Sequence, residues 1–92
     1  MATLHMEVEA ARQAQTTMMN MRQQILNEIQ SMSNAIGTLQ GGAWQGNSAN
    51  EFYQRYQEWR SQANNLLQRL EELTQQLRTE IDQWEQTASK LA

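Results

Sequence analysis

Two long stretches of the chain carry apolar residues at alternating steps of three and four, and a glycine-rich segment separates them. In the first stretch the stepping runs Leu4, Val8, Ala11, Gln15, Met18, Arg22, Ile25, Ile29, Met32, Ile36 and Leu39. Gln15 and Arg22 interrupt it, and Ala14 and Met21 stand beside them. Alternation at period two finds nothing comparable, so the pattern predicts a helix. In the second stretch the same stepping runs Phe52, Tyr56, Trp59, Ala63, Leu66, Leu70, Leu73, Leu77, Glu80, Trp84, Thr87 and Leu91. Glu80 and Thr87 fail, but Ile81 and Ala88 cover them if the stripe drifts by one residue. Such drift is expected where 3.6 residues per turn meets a repeat of 3.5. The remaining positions are Gln, Arg, Glu and Asn, so each helix offers one narrow seam.

Between the helices lies Gly41-Gly42-Ala43-Trp44-Gln45-Gly46-Asn47. Gly41 or Gly42 can take the left-handed conformation that ends a helix. Ser48-Ala49-Asn50-Glu51 then reads as a capping box, with the hydroxyl on the Glu51 N–H and the carboxylate reaching back. The expected architecture is all-α: one domain over residues 1–92, an antiparallel hairpin with helix one over about 5–40, the turn at 41–47 and helix two over about 48–88. At 1.5 Å per residue the helices would be about 54 and 60 Å long. Gly37, inside helix one, would allow a close helix–helix approach near the turn.

Two helices zipped along one seam bury little surface for a chain of this size. The second stripe is also wide and aromatic, with Phe52, Tyr53, Tyr56 and Trp59 on its first turns and Leu66 beside Leu67 further on. One hairpin cannot cover such a stripe from one side. Two hairpins packed at crossing angles near 20° would close it as a four-helix bundle. The residues expected at the core or dimer interface are Met18, Ile25, Ile29 and Met32 on helix one. On helix two they are Phe52, Tyr56, Trp59, Leu66, Leu70, Leu73 and Leu77. A second copy is the physical default, and a related hairpin as partner would satisfy the same argument.

Composition narrows the functional classes. The chain has 92 residues, no Cys and no Pro, and a net charge of −3. Absent Cys excludes a disulfide framework or thiolate zinc site and is compatible with export. Absent Pro removes the strongest helix breaker. A nucleic-acid binder would carry a basic stripe, which is missing. No apolar run approaches the length of a membrane span, and neither helix has the Lys/Arg-rich polar face of a membrane-surface helix. The N-terminal residues lack the basic region and apolar stretch of a general secretory signal.

Catalytic chemistry also finds no footing. His5 is the only histidine, and with Glu7 and Glu9 it makes an i, i+2, i+4 set that does not face one way on a helix. With no Cys and no second His, no base–nucleophile pair can be assembled. Glu71 and Glu72 are adjacent and diverge by about 100° on a helix, so they are not a catalytic pair. The glycine turn lacks the Gly-Lys-Ser/Thr of a phosphate loop. Neither an enzyme nor a cofactor nor a metal site is expected.

Trp44-Gln45-Gly46 followed by Ala49, Phe52 and Trp59 resembles the WXG family, also called the early secreted antigenic target family. The resemblance covers essentially the whole chain: a helix, a Trp-x-Gly turn and a second helix in about a hundred residues. It implies a hairpin that forms homo- or heterodimeric four-helix bundles. It also implies a protein made and folded in the bacterial cytoplasm, then exported without a cleaved signal. The route is the type VII (ESX or Ess) secretion system, driven by a membrane-anchored ATPase. Members act as effectors or as co-secreted partners of other cargo.

Many members or their partners carry a C-terminal Tyr-x-x-x-Asp/Glu export motif, which is missing here, since Gln57 and Arg60 follow Tyr53 and Tyr56 at that spacing. A looser pattern of an acidic residue among spaced hydrophobics fits Ile81, Trp84, Glu85, Ala88 and Ala92. Trp44 and Gly46 are open to two coexisting roles, a recognition surface shared with a partner's helix end, and a plug and backbone bend at the hairpin tip. Met18, Met19, Met21 and Met32 read as core filler or as a soft partner surface. Gln15 and Arg22 read as seam-edge residues that snorkel, or as register setters. An intracellular adaptor for another protein's hydrophobic helices is the alternative to a secreted protein.

Overall fold

A computed structural model describes the backbone over residues 5–91 and the side chains over 5–88. Helix α1 spans Val8–Thr38 and helix α2 spans Asn47–Leu91, with a short π-helical turn at Leu39–Ala43 between them. They form an antiparallel hairpin, a rod of 68 × 20 × 18 Å. Its radius of gyration is 20.6 Å, against about 12 Å for a compact chain of this length. Helix one therefore starts three residues later than its periodicity suggests, and Leu4, the first residue of the stripe, lies outside the described residues. No helix among the described residues is long and apolar enough to cross a membrane.

The contact between α1 and α2 uses a different row of α2 from the most apolar one. The buried and half-buried positions of α2 are Ala49, Tyr53, Tyr56, Arg60, Ala63, Leu67, Leu70, Thr74, Leu77, Ile81 and Trp84. Their spacing alternates four and three without a break, as a coiled-coil seam requires. Phe52, Trp59, Leu66 and Leu73, expected on the same stripe, are exposed at 39, 41, 63 and 55%. On α1 the seam likewise takes Leu26 and Ser33 in place of Ile25 and Met32, which are 36 and 42% exposed.

Most polar members of the seam find partners within the hairpin, although the buried Arg60 Nε has none. The Thr74 hydroxyl donates to the Leu70 carbonyl at 2.7 Å. Tyr56 Oη and Ser33 Oγ are 2.6 Å apart, and the Arg60 guanidinium also donates to Ser33. Arg22 donates to the Leu67 carbonyl at 3.4 Å and to Glu71 at 3.3 Å. Towards the open end Arg12 pairs with Glu85 and, at 3.7 Å, with Asp82. Bonds that cross from α1 to α2 at three levels hold the two helices in one register.

Two local expectations are corrected. Gly37 has no neighbour within 4 Å of where a Cβ would sit, so it permits no close approach and faces open space. Gly46, not Ser48, stands at the N-cap of α2, because its carbonyl accepts the Asn50 N–H at 3.0 Å. The helix begins at Asn47, so Ser48 is already inside the first turn and the proposed capping box has no terminus to cap.

Candidate functional site

The hairpin tip is built by two glycines. At Gly42 the backbone takes φ 145° and ψ −17°, which turns the chain out of the first helix while the Trp44 N–H closes on the Leu39 carbonyl at 2.9 Å. Trp44 is extended at φ −146°, ψ 114°, and Gly46 at φ 121° redirects the chain into α2. A Cβ at Gly46 would meet nothing, so glycine is required there for its backbone angle alone.

Between the glycines Trp44 lies over the first turns of α2. Its ring centroid is 5.5 Å from Phe52 and 5.9 Å from Tyr53, and Phe52 and Tyr53 meet edge to face at 5.9 Å. The Tyr53 hydroxyl donates to the Trp44 carbonyl at 2.7 Å. Tyr53 is thus the latch of the turn, a role the spacing rules do not single out. The signal available for it is chemical: a buried Tyr ring needs a partner for its hydroxyl. Trp44 itself stays 39% exposed.

Below the tip one flank of the rod is apolar and the other polar. The apolar flank holds a groove of about 390 Å³ between Ile25, Ile29 and Met32 on α1 and Trp59, Ala63, Leu66, Leu67 and Leu70 on α2, with Glu28 and Gln62 also lining it. It continues towards the open end past Met18, Leu73 and Leu77 as far as Gln76 and Glu80. Trp59 is stacked on the seam residue Tyr56 at 6.0 Å and 25°, which fixes the indole at the surface. The opposite flank is lined by Gln15, Met19, Arg22, Gln23, Glu71, Thr74, Gln75 and Arg78.

The eleven residues expected at the core or interface therefore separate. Ile29 and Tyr56 are buried, and Met18, Leu70 and Leu77 are half-buried. Ile25, Met32, Phe52, Trp59, Leu66 and Leu73 remain on the surface. Of the spaced pattern near the C-terminus, Ile81 has no exposed surface, Trp84 is half-buried and Glu85 is held by Arg12. Ala88 is exposed, and Ala92 lies outside the described residues. Among the described residues no group of three or more His, Cys, Asp or Glu is placed to hold a metal ion.

A Trp-x-Gly tip between two long helices is the feature that a family model described as "proteins of 100 residues with WXG" shares with residues 3–89. The chain belongs to the WXG100 family. Neither the curated proteins nor the solved structures yield a match. WXG100 proteins are small helical secretion substrates of the type VII kind, and they generally pair as dimers.

Proposed function

We propose that this protein is a type VII secretion substrate that leaves the bacterial cell folded and without a cleaved signal, paired with another helical hairpin across its apolar flank. It acts outside the cell by protein–protein contact, as an effector or as the co-secreted partner of other cargo. The observation that carries the reading is the Trp44–Gly46 tip, glycine-bent and latched by Tyr53, in a chain matched by the family along nearly its whole length. In this reading the exposed face of Trp44 and the adjoining Phe52 form part of a surface read by the machinery, while Gly46 shapes the turn that presents it.

The test is an immunoblot of cell pellet and cleared culture medium, with and without the membrane-anchored type VII ATPase. ATPase-dependent appearance in the medium is the expected result, and equal appearance without the ATPase refutes the reading. A second reading, an adaptor retained inside the cell, draws on the exposed methionines Met19, Met21 and Met32, which suit a surface that receives varied hydrophobic helices. Protein confined to the pellet in both strains would favour it.

A further inference from the structure

We infer that the polar flank of the hairpin is a second binding surface: a cleft that takes an extended acidic segment of another protein, with alternate carboxylates on Arg22 and Arg78. The cleft lies opposite the apolar flank, so it stays open when that flank is covered, and its chemistry is independent of how the protein leaves the cell.

A convergence of polar residues carries the assignment. The apolar stripe of α1 is interrupted at Gln15 and Arg22, and the seam of α2 holds Thr74 at 6% exposure. The fold brings all three to the wall of one cleft of about 220 Å³. A packed seam is better served by leucine, as at Leu70 and Leu77 on either side of Thr74, than by a polar group. The polar seam residues nearer the tip, Ser33, Tyr56 and Arg60, meet one another across the helices. Gln15, Arg22 and Thr74 do not. Thr74 turns back to the Leu70 carbonyl of its own helix, and Arg22 reaches the Leu67 carbonyl and Glu71 only at 3.4 and 3.3 Å. Their side chains open the seam to the flank where leucines would have closed it.

Charge gives the ligand its sign. Arg22 and Arg78 face a single carboxylate, Glu71, across the cleft, which makes it a positive site on a chain of net charge −3. Among the described residues Arg78 has no carboxylate within ion-pair distance, so its guanidinium can take a ligand carboxylate in two parallel hydrogen bonds. The Arg22 and Glu71 side chains are 30 and 53% exposed, and an ion pair so open to water holds its partners weakly. Arg22 therefore turns from Glu71 to a ligand at little cost.

Spacing and the neutral lining give the ligand its form. Arg22 is level with Leu67 and Glu71, and Arg78 stands about 10 Å beyond Glu71 along the rod. A small oxyanion occupies one end of that span. An extended peptide covers it with about three residues, and its side chains at i and i+2 point to one face. An acidic-x-acidic strand thus reaches both guanidiniums at once. Between them the carboxamides of Gln15, Gln23 and Gln75 each offer a donor and an acceptor, which a peptide unit complements. Met19 adds an adaptable apolar contact for the stem of an acidic side chain.

The test is fluorescence anisotropy on the purified chain at low salt, with a labelled Gly-Glu-Gly-Glu-Gly-Glu-Gly peptide and its Gln-for-Glu counterpart as probes. Saturable binding of the acidic peptide is expected, with the Gln peptide at least about tenfold weaker. Arg78→Gln should lower the affinity about tenfold while the helical melt and the sedimentation of the chain stay unchanged. Arg55→Gln removes the same charge outside the cleft and should bind as before. Glu71→Gln, which removes the competing carboxylate, should bind several-fold tighter. Gln15→Leu should melt later and bind less, as expected where a seam gives up packing for a site. Equal losses in Arg78→Gln and Arg55→Gln would reduce the effect to overall charge and overturn the site. Displacement of the peptide by an equal concentration of inorganic phosphate would overturn the peptide as ligand, and no saturable binding at millimolar peptide would overturn both. None of these results alters ATPase-dependent export, so failure here is separable from failure of the secretion reading.

Discussion

Leu66 and Leu67 are neighbours in sequence and opposite in environment, which makes them the sharpest test of the division between seam and flank. Leu66 is 63% exposed and Leu67 is 5% exposed. Full burial of a leucine is worth about 1.5–3 kcal/mol, so Leu66 has about 1–2 kcal/mol still to gain on pairing. Truncating it therefore weakens pairing with another hairpin by about 1–2 kcal/mol, which raises Kd about 5- to 30-fold. Within one hairpin the same Leu66→Ala change touches little and shifts stability by less than about 0.5 kcal/mol. Leu67→Ala instead opens a cavity in the seam and costs about 2–5 kcal/mol. For a chain of this length that lowers Tm by roughly 10 °C or more.

The assay separates the two effects by concentration, because pairing itself raises apparent stability by mass action. Sedimentation over a dilution series gives Kd for each variant. Helical melts recorded well below the Kd of the unmodified chain then compare the hairpins alone. Leu66→Ala should melt with the unmodified chain while pairing weakly, and Leu67→Ala should melt early. If both variants lower the melt of the isolated hairpin equally and Leu66→Ala leaves Kd unchanged, the assignment of the two rows is wrong.

Four further outcomes are expected. Gly37→Ala should stabilise the hairpin by up to about 1 kcal/mol in a thermal melt, since the helix gains propensity and the methyl group meets nothing. Gly46→Ala should cost about 1–2 kcal/mol in the same melt despite equally open space, because its φ of 121° is one that side-chain-bearing residues resist. Tyr53→Phe should cost about 1 kcal/mol by removing the bond to the Trp44 carbonyl; a melt unchanged from that of the unmodified chain would show that the latch is dispensable. Peroxide should oxidise the exposed Met21 and Met32 and weaken pairing, with affinity restored by methionine sulfoxide reductases, as mass and sedimentation together would record.

Periodicity alone locates both helices and the turn, because no other period fits and all four glycines fall between residues 37 and 46. It does not decide which row of a helix meets its own chain. On α2 the positions Tyr56, Ala63, Leu70, Leu77 and Trp84 belong to either choice. Apolarity then favours Phe52, Trp59, Leu66 and Leu73 over Tyr53, Arg60, Leu67, Thr74 and Ile81, yet the hairpin closes on the second set. A pattern of hydrophobic positions records that a residue is to be buried, not by which molecule. What distinguishes the two rows is polar satisfaction. Thr74 can return its hydrogen bond to its own helix and Arg60 can reach Ser33 across the seam, so a hairpin tolerates them inside. The row of Phe52, Trp59, Leu66 and Leu73 carries only the Trp59 indole N–H to satisfy, so it can be covered by an apolar surface with little such arrangement. The same reasoning explains the tip, where Ser48 and Glu51 have the letters of a cap but the backbone of Gly46 starts the helix before them. A chain evolved only to fold alone would keep its most apolar row inside. This one closes on the mixed row and leaves the uniform row facing out, which is the arrangement expected of a hairpin whose core is completed by a partner.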